Sequence, residues 1–176
     1  MKILIVSGFL GAGKTTFIKR LARNVDQRFA ILENEYGAAG IDGARLGQNR
    51  QGTQKNVWEM TEQCICCIGK KDFAASVLTI ANVVDPEYLI VEPTGVGSLA
   101  RIIENLRQIE YERIQLLSPV TIVDVYSYRR YMAEYPELYQ DQIRSADTII
   151  VSKTEACQAE EKQRIQKFLQ EINPQA

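Results

Sequence analysis

Residues 8–15 run Gly8-Phe9-Leu10-Gly11-Ala12-Gly13-Lys14-Thr15, with Thr16 next. Gly, four residues, then Gly-Lys-Thr is the spacing of a phosphate-binding loop. Backbone N–H groups at the start of the following helix, through Thr16, hold an anion. Lys14 is long enough for the β- and γ-phosphates of a nucleoside triphosphate, and the Thr15 hydroxyl is a ligand for Mg²⁺. Gly8, Gly11 and Gly13, with the small Ala12, let backbone come close to phosphate oxygens. A glycine-rich turn with a chance lysine is the competing explanation. The flanks argue against it: an apolar stretch at 3–6 precedes the loop, and Phe17, Ile18 and Leu21 follow at helical spacing.

Other candidate residues stand at the ends of apolar stretches. Glu92-Pro93-Thr94-Gly95 follows 88–91. A carboxylate there suits Mg²⁺ beside phosphates, and Gly95 lets a backbone N–H approach the γ-phosphate. A plain polar turn is the alternative. Glu33-Asn34-Glu35 follows 29–32 and offers two carboxylates to a cation, or simply starts a solvated loop. Ser152-Lys153-Thr154-Glu155 follows 148–151. GTPases carry Asn-Lys-x-Asp at such a place, where the carboxylate accepts two hydrogen bonds from guanine and the lysine stem packs on the base. Here Ser152 replaces Asn and Glu155 replaces Asp; a polar strand-to-helix turn is the alternative. Asp124 ends another stretch, with a cap or a ligand contact equally open.

Cys64, Cys66 and Cys67 fill three of four consecutive positions. Thiolates at this density bind soft or borderline metals such as Zn²⁺, Cu(I) or Co²⁺. The chain has no His. A tetrahedral site therefore needs a further ligand, from Glu33, Glu35, a nucleotide-linked group, water or a second molecule. Cysteines as small buried hydrophobes are the alternative. Cys157, near a helix start, is expected to be structural.

These residues need elements to position them. Strands are expected at 3–6, 29–32, 57–60, 88–91, 120–123 and 148–151. Helical spacing recurs after the loop, at 71–83 and at 98–109; helices are expected around 127–145, and a last one at about 158–172. The stretch 34–56 is long and poor in large apolar residues, which itself suggests function. Repeated β-α units imply a mostly parallel central sheet covered on both faces, an α/β three-layer sandwich, with ligands at the carboxyl ends of the strands.

Bulk properties exclude several classes. At 176 residues and 45% hydrophobic content the chain can bury a core as one domain, 1–176. A net charge of −1 offers no basic field for nucleic acid. No apolar run approaches the ~20 residues of a membrane span. With reduced thiols expected, a cytoplasmic protein is the natural reading.

In combination, 8–16, 33–37, 64–67, 92–95 and 152–155 resemble, in order, the CobW-like family of P-loop GTPases, relatives of the urease and hydrogenase nickel-insertion GTPases. The resemblance spans nearly the whole chain, and Cys-x-Cys-Cys after a P-loop is its most specific part. It implies a GTPase metallochaperone with GTP, Mg²⁺ and Zn²⁺ or Co²⁺, slow intrinsic turnover, and a client metalloprotein or cobalamin-pathway protein as partner; a homodimer is possible within it. It implies Cys66 and Cys67 as metal ligands with Glu33 or Cys64 nearby, and Lys14 and Thr15 at phosphates and Mg²⁺. Glu92 and Gly95 become the Mg²⁺ and γ-phosphate sensor, and Lys153 and Glu155 hold guanine. Gln63 stands where the family usually has Gly. Family members also continue past Ala176 into a further strand and a second domain, so a truncated GTPase domain is expected. A small-molecule kinase or ATPase with structural cysteines is the rival.

Overall fold

The computed structural model describes residues 1–24, 27–33, 57–61 and 70–176, with 57–61 and 70–72 described by backbone alone. Its strands are β1 (Lys2–Gly8), β2 (Phe29–Glu33), β3 (Val57–Thr61), β4 (Tyr88–Glu92), β5 (Gln115–Leu116), β6 (Val120–Asp124) and β7 (Thr148–Ser152). Its helices are α1 (Lys14–Asn24), α2 (Lys70–Val83), α3 (Leu99–Arg107), α4 (Tyr128–Glu134), α5 (Pro136–Arg144) and α6 (Ala159–Ile172). The strands form one sheet in the order β3-β2-β4-β1-β6-β7, and every strand pairing among the described residues is parallel.

Alternation along the strands explains the layers. Ile3 and Ile5 of β1, Ala30 and Leu32 of β2, and Leu89 and Val91 of β4 face α2 and α3, packing with Phe73, Val77, Ile80, Ile102 and Leu106. Val6, Ile31, Ile90 and Ile122 face the other way and meet Ile18 and Ala22 of α1. A third cluster joins Val123 and Val125 to Tyr139, Ile143, Ile165 and Leu169 of α5 and α6. Strands buried on both sides read as continuous apolar runs, which is why they stand out in the sequence.

One local feature differs from expectation. β5 is a short extra strand that continues the line of β6 along the same edge of β1 (Lys2 opposite Gln115, Val6 opposite Val120). Pro119 separates the two, since it has no N–H to give to a ladder. The helices expected around 127–145 are two. Tyr135 ends α4 with φ −137°, and Pro136 opens α5 at a position where its missing N–H costs nothing. Among the described residues no helix is long and apolar enough to cross a membrane.

Candidate functional site

The carboxyl ends of β1, β2, β4, β6 and β7 meet along one edge of the sheet, and the candidate residues line it. Gly8 leaves β1 at φ 142° and lies so close to β6 that a Cβ would collide with the Ile122 carbonyl oxygen. Gly11 and Gly13 also hold positive φ, so the loop follows a path that other residues enter only with strain. It ends at Lys14, the first residue of α1. Lys14 is 8% exposed and its ammonium donates to the Phe9 carbonyl at 3.4 Å. The charge is thus folded back over the loop it belongs to.

Thr15 and Glu92 are brought together from opposite sides of this edge. The Thr15 hydroxyl donates to Glu92 Oε1 at 3.0 Å, with Oε2 at 3.3 Å. Glu92 is almost wholly buried and is registered directly beside Glu33 on β2, itself 7% exposed. Registered residues of adjacent strands project to the same face about 4.8 Å apart. Both carboxylates therefore lie on the α1 side of the sheet. Two such groups and a hydroxyl make a cluster of hard oxygens, the donor set that suits a hard divalent cation. Gly95 lies against the loop: a Cβ there would stand 2.5 Å from the Leu10 amide nitrogen.

The far end of the edge is more open. The Ser152 hydroxyl donates to the Ala12 carbonyl at 2.7 Å, so β7 is fastened to the glycine loop. Lys153 takes φ 59°, unusual for a side chain of its size, and its ammonium meets Asp124 Oδ2 at 2.7 Å. Burial pushes the Asp124 carboxyl up, but hydrogen bonds from Lys153, the Tyr126 N–H and Ser127 outweigh it and hold the group below its ordinary value. Glu155 is exposed. Cys157 is half-buried against the α5–α6 cluster, as expected of a structural thiol.

Cys64, Cys66 and Cys67, with Asn34, Glu35, Tyr36, Gly37 and Gln63, lie outside the described residues. Among the described residues no three Cys, Asp or Glu side chains are grouped to hold a metal ion. The partner of Asp124 was not foreseen, nor were Tyr131, Asp141 and Gln142. Tyr131 donates its hydroxyl to the Leu10 carbonyl at 2.9 Å. Asp141 caps α3, and buried Gln142 bonds the loop after Glu92. The only available signal was their place between two strand-end motifs.

Comparison with known proteins agrees with this arrangement. Residues 2–176 match the family described as CobW/HypB/UreG, nucleotide-binding domain. The chain is 31% identical over 170 residues to the zinc chaperone YeiR of Escherichia coli, covering 95% of this chain and 51% of that protein. It is 27% identical to the zinc chaperone CobW of Pseudomonas aeruginosa, covering 94% of this chain and 52% of that protein. It thus spans about half the length of these relatives. In three dimensions it resembles the crystal structure of Zn(II)-bound YjiA GTPase from E. coli, with a TM-score of 0.71, 23% identity, and coverage of 98% of this chain and 55% of that one. With a glycine loop, a strand-end carboxylate beneath it and a family match over nearly its full length, the chain belongs to the CobW/HypB/UreG nucleotide-binding-domain family.

Proposed function

We propose that this domain binds and hydrolyses GTP and couples that cycle to the capture and release of a transition-metal ion for a client protein. Zn²⁺ is the first candidate, because the relatives are named zinc chaperones; Co²⁺ is the second. The observation that carries the proposal is the registration of Glu33 beside Glu92. Glu92 touches Thr15 at the phosphate loop. Glu33 ends β2, and Cys64, Cys66 and Cys67 follow β3 in the sequence. The nucleotide half and the metal half would thus share a pair of adjacent buried carboxylates, each of which feels the cation bound by the other.

In this proposal the backbone of Gly8, Gly11, Ala12 and Gly13 holds the phosphates, with Thr16 at the helix start. Lys14 neutralises the β- and γ-phosphates. Thr15 and Glu92 hold Mg²⁺, whose chemistry is to offset charge on the phosphoryl oxygens. Gly95 offers its N–H to the γ-phosphate, while Ser152, Lys153 and Glu155 serve the base. Cys64, Cys66, Cys67 and Glu33 take the transition metal. Glu92 is taken up by Thr15 and Mg²⁺ in this reading, so water is positioned rather than deprotonated and slow turnover is expected.

Coupling is reciprocal: if GTP tightens metal binding, metal tightens GTP binding by the same factor. The test titrates Zn²⁺ or Co²⁺ into wild type and Cys66→Ser/Cys67→Ser, with GDP and with a non-hydrolysable GTP analogue. Tighter metal binding with the analogue, lost in the double variant, is expected. Equal affinity with both nucleotides sinks the coupling. Competition between GTP and ATP separates the proposal from a small-molecule kinase.

A further inference from the structure

The loop between Glu92 and α3 is gripped from one side by two consecutive residues of α5. Gln142 is 1% exposed, and its Nε2 donates to the Gly95 carbonyl at 3.1 Å and the Gly97 carbonyl at 2.9 Å. Both amide hydrogens are used. A flipped amide would set its oxygen against two carbonyl oxygens, so the contacts dictate the orientation. Its Oε1 has no hydrogen-bond partner among the described residues, so the side chain spends its polar contacts on this loop. The main-chain carbonyl of Gln142 accepts the buried Thr121 hydroxyl of β6 at 2.9 Å, which ties this turn of α5 to the sheet. Asp141 Oδ2 accepts the Leu99 N–H at 2.8 Å and so caps α3, where Ser98 also accepts from the Arg101 N–H.

From the other side, Gly95 packs against Leu10, whose carbonyl accepts the Tyr131 hydroxyl of α4. The α4–α5 pair therefore holds both the glycine loop and the loop after Glu92. A buried amide bonded to two carbonyls restricts the Gly95–Val96 and Gly97–Ser98 peptides, just after the Gly95 N–H. Any displacement of that loop toward a third phosphate must either carry α5 along or lengthen two buried hydrogen bonds.

We infer that Gln142 is a positioning residue for the loop that senses the γ-phosphate, and that α5 is the element through which triphosphate occupancy is felt away from the site. This rests on the proposal above that Gly95 faces the γ-phosphate. The partner chemistry is that of the third phosphate alone, so diphosphate should bind almost independently of Gln142.

The test measures affinity for GDP and for a non-hydrolysable GTP analogue, with Mg²⁺, in wild type and in the near-isosteric Gln142→Met. The expected result is a loss of about tenfold in analogue affinity, as for two hydrogen bonds left unmade, with GDP affinity held within about twofold. The turnover number falls, and the melting temperature serves as a control for general damage. Hydrogen exchange in the wild-type protein gives the second measurement: amides of 139–144 and 95–99 should be better protected with the analogue than with GDP. Equal losses for both nucleotides, or no loss for either, overturn the role of Gln142. Exchange in 139–144 that ignores the third phosphate overturns the role of α5, and decides alone if Gln142→Met does not fold. A wild-type protein that hydrolyses no GTP defeats the function proposed above. One that hydrolyses GTP while Gln142→Met keeps the wild-type affinity ratio defeats this inference only.

Discussion

The phosphate end of the site is anchored by buried charged groups, and the base end is built from exposed ones. Lys14 and Glu92 are each 8% exposed, Thr15 bonds Glu92, Gly8 lies against Ile122 of β6 and Gly95 against Leu10. At the other end Lys153 keeps 48% of its side chain in solvent and Glu155 is exposed. The first end would recognise its ligand through backbone N–H groups and a fixed charge, which allow little variation. The second would rely on side chains on a surface turn, where Ser replaces Asn and Glu replaces Asp at modest cost. Phosphate binding is therefore rigidly prescribed, while the choice of base is tunable.

The largest expected effect is at the buried end. Lys14→Ala should weaken triphosphate binding by about a hundredfold or more, since it removes charge-assisted contacts worth about 1.5–3 kcal/mol each. Calorimetric titration measures it, and a loss under tenfold would break the contrast between the two ends. Next comes Asp124→Asn, which unties Lys153. A roughly fivefold loss in GTP affinity is expected, with ATP affected less.

The same variant tests pH dependence. The Asp124 carboxyl is lowered in the folded state, so its contribution is present above the unfolded value of 3.8 and is lost as pH falls through the folded value. The stability of the wild type should therefore drop more steeply than that of Asp124→Asn below about pH 4, by no more than about 1 kcal/mol given the exposed lysine. Parallel melting curves in acid would remove Asp124 from the account. The smallest effect is expected for Ser152→Ala, which leaves the Ala12 carbonyl without this donor: about a two- to threefold loss for GTP and less for ATP. An equal loss for both would remove Ser152 from the proposed base contacts.

The legibility of these regions in the sequence follows the same division. Gly8 through Thr15 could be read directly because each residue answers a local demand, a positive φ, a close backbone approach or a charge near the loop. The long strands were legible as apolar runs because they are buried on both faces. β5 escaped because two residues before Pro119 carry no period. More than one helix was expected around 127–145, but the place of the break was not, because Tyr131, Tyr139 and Ile143 keep a helical rhythm across Pro136. The hydroxyl of Ser152, a proposed base contact, meets a carbonyl 140 positions earlier in the chain, which no local spacing announces. The Tyr126 N–H that Asp124 accepts is the local cap the sequence allowed, but its Lys153 partner and the contacts of Gln142 were beyond reach: they are set by how strands and helices stack, which no local spacing encodes.

The central place of β1 has a consequence for how the chain is made. Lys2 pairs with Tyr88 on one side and Gln115 on the other, and Val6 pairs with Val120. The strand that delivers the glycine loop is synthesised before both of its neighbours, which exist only after residues 88–92 and 115–124 have followed. Pairings this distant close slowly, because the loop entropy is spent before any contact is gained. During that interval the apolar segment Ile3–Val6 waits without a sheet. A nucleotide that binds only the finished loop would then favour the folded chain by mass action, acting as a folding ligand before it serves as a substrate.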